Sequence, residues 1–479
     1  MLRLPPELLD IITTALWSFP QQDRSPSSND PRRRSAKHDL EVRLVCRELN
    51  NATFPSFAKA FFNKISVIFT RRSLDRLHNI SQYERLAAAV VKLDVGSYRL
   101  CSPYTLHRPS VIDLDDDHSF SLAASIACEN RFSLLNGFPR ETVRKAMKYR
   151  DAWIEQYDRD LQQQDAPYLA QILGKFPKLR EVQVRALGRV HWHEGEILPE
   201  ECYDSDSAAA FLPITSTNAT ITATKVMEAI CKAAHQNPSF RLEKLTFKPT
   251  SNLPNGRVSD KHSVQLHNIA LPPTCPSPTH ALAYLKEIKL AISHQANSPH
   301  RLPQDAGDGS RLMGILMSSK LLEVLHLDFG ADQSIKGKPC ISNALVATLF
   351  RIDNFLRLRD LRLTGCNIAH SPHIAMFLTN HAATLERLSL RMELHWVPQG
   401  TMAGESTRAW IAVWRGAALS QRLTELNFEL DVGGEGVEFH WAGREKVAAS
   451  TNRLANGLSM VDEAKLWLGE NVLSSMKIE

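Results

Sequence analysis

A six-position pattern, apolar-x-x-apolar-x-apolar, recurs along the chain. It reads Leu179-Arg-Glu-Val182-Gln-Val184, Leu242-Glu-Lys-Leu245-Thr-Phe247, Leu285-Lys-Glu-Ile288-Lys-Leu290 and Leu322-Glu-Val-Leu325-His-Leu327. Three more copies follow as Leu358-Arg-Asp-Leu361-Arg-Leu363, Leu385-Glu-Arg-Leu388-Ser-Leu390 and Leu423-Thr-Glu-Leu426-Asn-Phe428, and a weaker one precedes them as Val90-Val-Lys-Leu93-Asp-Val95. The last two apolar residues of each copy are two apart, so they share one face of a short strand. The first anchors the turn into that strand. A lone strand of this kind cannot bury its apolar face, so the repetition predicts strands stacked in a parallel sheet with helices behind them. One match would be a chance event in an ordinary α/β domain. Seven copies argue for repeated units.

The intervals carry helical spacing. Thr222 to His235 places Val226, Met227, Ile230, Cys231 and Ala234 on one face, and Pro167 suits the first turn of a helix that carries Leu169, Ile172 and Leu173. Ser371 to Ala383 and Thr407 to Leu419 read the same way. Val143 to Gln164 sets Val143, Met147, Ile154, Tyr157 and Leu161 against a charged face, as an amphipathic helix leading into the first strong repeat. Ser251 to Pro278, Gln295 to Ser310 and Leu100 to Asp117 hold the turn-forming residues expected of surface loops.

The N-terminal pattern differs. Leu4-Pro5-Pro6-Glu7-Leu8-Leu9-Asp10-Ile11-Ile12 predicts a short helix, with proline in its first turn and Glu7 near the positive end of the helix dipole. Leu40 to Asn50 predicts a second, with Leu40, Leu44, Val45 and Leu49 at helical spacing, and Phe54, Phe57, Phe61 and Phe62 come next. Between the two, Ser18 to Lys37 is rich in proline, serine and charge, the composition of a disordered insertion.

Leu4-Pro5-Pro6-Glu7-Leu8-Leu9 and Leu44-Val45-Cys46-Arg47 resemble an F-box of the fungal F-box-like kind, and the recurring strand pattern resembles leucine-rich repeats of the long, irregular type. Two departures stand out. The tryptophan usual after the second F-box helix is absent, with Phe57 or Phe61 in its place. The Asn or Cys that usually closes the repeat strand occurs only in Leu358 to Ile368, which holds Cys366 and Asn367. The resemblance implies an α/β fold, with a small N-terminal helical module followed by an irregular leucine-rich-repeat solenoid of short parallel strands. The expected organisation is an F-box-like module over 1–65 with its insertion at about 18–39, a linking and capping region over 66–178, and a repeat array over 179–479.

Composition narrows the function classes. Of 479 residues 43% are hydrophobic and 23% charged, enough apolar material for a sizeable core. No run of about 18 apolar residues occurs, and the N-terminus lacks the apolar core of a secretory signal. The eight cysteines are scattered, with no Cys-x-x-Cys pair, as in a reduced cytoplasmic or nuclear protein without a zinc module. A net charge of +5, from 57 basic and 52 acidic residues, is too mild to imply nucleic acid.

Candidate chemistry is sparse. His191-Trp-His193-Glu194 and Asp115-Asp116-Asp117 carry metal-binding residue types without a fixed ligand spacing, and they read as solvated loops. Arg32-Arg33-Arg34 reads as a solubilising charge run or a nuclear import signal. No nucleotide loop, nucleophile elbow or metalloprotease helix is present. The expectation is therefore a non-catalytic protein with no metal and no cofactor. In each repeat the residues beside the apolar pair point outward, seven basic and six acidic over the seven copies. A groove that tracks phosphates would be strongly basic. The mixed face suits a protein target, with Lys244, Lys248, Lys289, His326, Arg362, Arg387 and Arg391 as the substrate-binding candidates on the concave side.

The resemblance implies the rest. It assigns the N-terminal apolar residues Leu4, Pro5, Leu8, Leu9, Ile12, Leu44 and Val45 to a Skp-type adaptor, and through it to cullin and RING subunits. The chain would then be the substrate-recognition subunit of an SCF-type ubiquitin ligase, in the cytoplasm, the nucleus or both, acting in ubiquitin-dependent degradation of a protein whose identity the sequence does not give. The alternative is a leucine-rich-repeat scaffold with no ubiquitin role.

Overall fold

The computed structural model describes residues 47–97, 131–186, 216–249, 281–291, 318–328, 355–366, 371–393, 403–420, 422–432 and 435–456, with Ala123, Ile126, Ala127, Glu129, Leu316 and Phe350 besides. The protein is mixed α/β, built on parallel strands. Its chain divides into two compact units. The first takes the chain up to Asn218 together with Lys225–Phe240, and the second takes Ala219–Thr224 together with Arg241–Glu479.

The first unit opens with α1 (Arg47–Phe62), β1 (Lys64–Ile68), α2 (Arg71–Gln82) and the single turn α3 (Glu84–Ala87). It continues with β2 (Lys92–Gly96), a 3₁₀ turn (Phe132–Gly137), α4 (Arg140–Leu161), α5 (Asp165–Leu173) and β3 (Glu181–Ala186). Helix α6 (Ser216–Gln236) contributes to both units. Strands β1, β2 and β3 lie side by side and parallel, with Ile65, Leu93 and Val182 in one register column and Val67, Val95 and Val184 in the next. Strand β1 has the same spacing as the repeats, Phe62-Asn-Lys-Ile65-Ser-Val67, which the aromatic run before it disguises. That run is part of α1, which continues past Asn50 in spite of Pro55. Its phenylalanines recur at helical spacing and meet as tilted rings, Phe57 with Phe61 at 4.8 Å and with Phe62 at 5.8 Å between ring centroids.

Helix α2 begins where Thr70 caps it, the threonine hydroxyl accepting from the Ser73 amide at 3.3 Å. It buries Leu74, Leu77 and Ile80, three apart, and packs against β1 and α5. Helix α5 buries Leu169, Ile172 and Leu173 as expected, and starts two residues before Pro167, where the missing amide costs nothing. Asp165 in its first turn is buried. Its carboxylate receives the Arg159 guanidinium at 2.7 Å and the Lys225 ammonium at 2.6 Å, and Lys225 also pairs with Asp160. These contacts tie the end of α4 and the start of α5 to α6.

The second unit holds β4 (Lys244–Pro249), β5 (Glu287–Ala291), β6 (Val324–Asp328), β7 (Asp360–Cys366), α7 (Ser371–Asn380) and β8 (Arg387–Glu393). It ends with α8 (Ala403–Ala418), β9 (Glu425–Val432), β10 (Glu435–Ala442) and α9 (Arg444–Ala455). Strands β4 to β9 run parallel in chain order. Leu245, Ile288, Leu325, Leu361, Leu388 and Leu426 fall in one register column, and Phe247, Leu290, Leu327, Leu363, Leu390 and Phe428 in a second. The leading leucines Leu242, Leu285, Leu322, Leu358, Leu385 and Leu423 are buried throughout. Just before the strands the chain forms one more ladder: the amides of Lys286, Glu323, Arg359, Glu386 and Thr424 each donate to the carbonyl one unit earlier, at 2.8–2.9 Å. Burying two columns of large aliphatic side chains is what fixes this register, since a one-residue slip would turn every leucine to the opposite face.

Behind the sheet, α7 packs on α8 and α8 on α9. Phe377 on α7 meets Phe350 edge-on at 5.3 Å and His381 at 4.4 Å. Strand β10 was not anticipated. It returns antiparallel to β9 with Val432 opposite Glu435, which leaves only Gly433 and Gly434 to connect them. A two-residue Gly-Gly link between alternating segments is a hairpin signal, and Val437, Phe439 and Trp441 do alternate with polar neighbours. Among the described residues, no helix is long and apolar enough to cross a membrane.

Candidate functional site

The face of the second unit's sheet opposite the leucine columns is built by the residues that alternate with them. Its first column is Lys244, Glu287, Val324, Asp360, Arg387 and Glu425, and its second is Thr246, Lys289, His326, Arg362, Ser389 and Asn427. A third, over β5 to β9, is Ala291, Asp328, Thr364, Arg391 and Glu429. Of the residues expected to bind a target, the structure therefore brings Lys244, Lys289, His326, Arg362, Arg387 and Arg391 onto one face. Lys248 belongs to β4, two residues beyond Thr246.

These cations are interleaved with acids, and the pairing is specific. The Lys244 ammonium reaches Glu287 at 2.8 Å, and the Lys289 ammonium reaches the same carboxylate at 2.6 Å. His326 Nε2 lies 3.3 Å from Asp360 Oδ1, and the Arg387 guanidinium lies 3.0 Å from Asp360 Oδ2. Burial works to raise the pKa of Glu287, but hydrogen bonds and charge from Lys244 and Lys289 outweigh it and hold the carboxyl below its ordinary value. Asp360 is likewise held low: burial opposes ionisation, and His326, Arg387 and Lys289 overcome it. Glu287 thus binds Lys244 on the preceding strand and Lys289 on its own strand, and Asp360 lies between His326 and Arg387 on the strands to either side.

Asp328 behaves differently. It keeps part of its surface in water, yet its carboxyl is hemmed in deeply enough that lost hydration dominates. The charges of Arg391 and Arg362 pull the other way and fall short, so its pKa rises to about 6. No ion pair holds Arg362 among the described residues, and its side chain is exposed. Asp328, Asp360 and Glu287 were legible as outward positions, but their part in the site was not. Which acid neutralises which base depends on cross-strand register, and register spans intervals of unequal length in the sequence.

The first unit's sheet carries a smaller version. Asp94 on β2 is buried, with the Lys64 ammonium and the Arg185 guanidinium each 2.9 Å from its Oδ2. A separate cleft of about 840 Å³ in this unit is lined by Arg71, Asp75, Arg150, Glu155, Arg159 and Tyr168 among others. There the Tyr168 hydroxyl donates to Asp75 at 2.9 Å, and burial, the Asp75 hydrogen bond and its charge raise the phenol's pKa.

The remaining sequence candidates lie outside the described residues: Leu4, Pro5, Leu8, Leu9, Ile12, Leu44 and Val45, the His191 to Glu194 and Asp115 to Asp117 segments, and Arg32 to Arg34. Among the described residues, no group of three or more His, Cys, Asp or Glu is arranged to hold a metal ion. No protein-family model matches the chain, and no curated protein matches it.

Proposed function

We propose that this chain is the substrate-recognition subunit of an SCF-type cullin ubiquitin ligase. Its N-terminal residues bind a Skp-type adaptor, and a leucine-rich-repeat array presents the polar sheet face to a protein target. The combination carries the reading. Leu4-Pro5-Pro6-Glu7-Leu8-Leu9 and Leu44-Val45-Cys46-Arg47 stand ahead of parallel strands whose leucine columns keep register from β4 to β9. Such an arrangement needs no catalytic residue, since the ligase chemistry belongs to other subunits. The adaptor contact would be apolar. A module of about 60 residues cannot bury Leu4, Pro5, Leu8, Leu9, Ile12, Leu44 and Val45 all by itself.

The test is co-purification of the full chain with the Skp-type adaptor. Truncating an apolar anchor at the centre of an interface costs about 2 kcal/mol, roughly thirtyfold in affinity. Leu8→Ala combined with Leu44→Ala should abolish capture while circular dichroism of the full chain stays unchanged. If the folded double variant captures the adaptor as well as the parent does, or the parent captures none, the scaffold reading replaces this one.

A further inference from the structure

The cleft of about 840 Å³ in the first unit is walled by residues of α2, α4 and α5, and its charges are not matched from within. Arg159 is engaged by Asp165, whose Oδ1 accepts from Nε and from one terminal nitrogen, both at 2.7 Å. Arg71 reaches Asp75 and Glu155 only at 3.6 Å, longer than a hydrogen bond, and stays largely exposed. Asp75 also accepts from the Tyr168 hydroxyl at 2.9 Å. The Arg150 guanidinium lies over the Phe132 ring, 5.0 Å from its centroid, and its buried Nε has no hydrogen-bond partner. Among the described residues no carboxylate receives it.

The acids of the cleft are better spread. Asp151, Glu155 and Asp158 stand four and three positions apart on α4, which puts them on one face, and all three are exposed. Neither Asp151 nor Asp158 makes an ion pair among the described residues. A helix rises about 1.5 Å per residue, so Glu155 and Asp158 lie about 7.5 and 12 Å beyond Arg150 along its axis. With Arg159 engaged by Asp165, four carboxylates, those three and Asp75, face two guanidinium groups, Arg71 and Arg150. A matching ligand is therefore cationic overall, yet brings one anionic acceptor for Arg150. A phosphate or a nucleic acid strand is repelled by the acids, and a polyamine sets a cation against Arg150.

We propose that this cleft binds a free basic amino acid, with its carboxylate on Arg150, its α-ammonium on Asp151 and its side-chain cation between Glu155 and Asp158. The carboxylate and the α-ammonium leave one carbon, as Arg150 and Asp151 leave consecutive positions of α4. The side-chain cation then reaches the acids one to two turns further on, and its aliphatic stem runs over Ile154, which also lines the cleft. A planar guanidinium bonds carboxylates in pairs, so arginine fits Glu155 and Asp158 better than lysine does. The site belongs to the first unit alone. It depends neither on the adaptor contact nor on the polar face of the second unit.

Isothermal titration calorimetry of the full chain with L-arginine tests this. Citrulline, which lacks the side-chain charge, and agmatine, which lacks the carboxylate, should each bind about tenfold more weakly than L-arginine. Arg150→Gln should weaken L-arginine about tenfold without weakening agmatine, because only the carboxylate contact is lost. Asp158→Asn, at an exposed position, should weaken both about threefold. Glu445→Gln removes the same charge from an exposed position on α9 and should change either affinity less than about twofold. Circular dichroism checks the folding of each variant. Should Arg150→Gln not fold, the agmatine comparison on the parent chain and Asp158→Asn decide the question. The inference falls if L-arginine gives no saturable heat up to about 10 mM. It falls equally if citrulline or agmatine matches L-arginine, if folded Arg150→Gln weakens both ligands alike or neither, or if Asp158→Asn does no more than Glu445→Gln. A Gly-Gly-Arg peptide that binds more tightly than L-arginine would make the occupant a peptide end, and would also overturn it.

Discussion

Asp328 shows how one side chain can be held in tension. Its carboxyl titrates near 6 in the folded chain against 3.8 when free, so the folded state keeps a proton that the unfolded state has given up. The sign follows directly. Below the unfolded value both states are neutral and the group is silent; as pH rises from about 4 to 6 stability is lost, and above 6 the loss is complete. Two pH units correspond to about 3 kcal/mol as an upper figure, reduced by the water that still reaches the side chain. Asp328→Asn should therefore raise stability in urea at pH 7.5 by about 1–2 kcal/mol and do nearly nothing at pH 4. An equal effect at both pH values would mean that packing, not ionisation, is what the substitution changes. The sequence placed Asp328 on the polar face correctly, by period-two alternation from Leu325 and Leu327. It gave no hint of how much water the carboxyl would lose.

At the scale of elements, the approach of α7 to α8 turns on Gly416. A Cβ there would meet the Ala375 carbonyl oxygen at 2.8 Å and the Leu378 Cβ at 3.2 Å. Two effects compete in Gly416→Ala. Helix propensity favours alanine by about 1 kcal/mol. Forcing a methyl group onto a neighbouring helix backbone costs about 1–3 kcal/mol, since a backbone carbonyl cannot swing aside as a flexible side chain can. The clash wins, and Gly416→Ala should lower the thermal midpoint by a few degrees while Gly416→Val lowers it further, as differential scanning calorimetry would show. A stabilised alanine variant would mean that the two helices separate without penalty. The helices themselves were legible from spacing. Ser371 to Ala383 and Thr407 to Leu419 were expected, and α7 and α8 occupy Ser371–Asn380 and Ala403–Ala418. Their close contact was not, because an isolated glycine in a helical pattern reads only as a weak point.

Across the whole molecule, the paired charges on the polar face should dominate the acid limb of stability. Glu287 and Asp360 both have folded pKa values below their ordinary 4.5 and 3.8. A depressed carboxyl contributes stability that is present above its unfolded value and lost as pH falls through its folded one. The midpoint of thermal unfolding should therefore drop steeply below about pH 4. In Asp360→Asn the midpoint at pH 7 should be lower and the acid limb shallower, since the ionisation that supports His326 and Arg387 is gone. An acid limb as steep as the parent's would place the responsible carboxylates elsewhere.

What the sequence determined by itself is whatever repeats locally. Leu-x-x-Leu-x-Leu fixes a strand, its buried face and its outward residues within six positions, because alternation is a property of the extended backbone alone. Parallel pairing followed too, since intervals this long allow the chain to return in the same direction. The tertiary structure decided everything that needs a second strand. It showed that β1 hides in the aromatic run ending at Phe62, and that β10 folds back on β9. It set Lys244 on one strand against Glu287 on the next, and it set Arg362 diagonally from Arg391. Those facts depend on cross-strand register, and register is fixed only when whole columns of leucine leave water together.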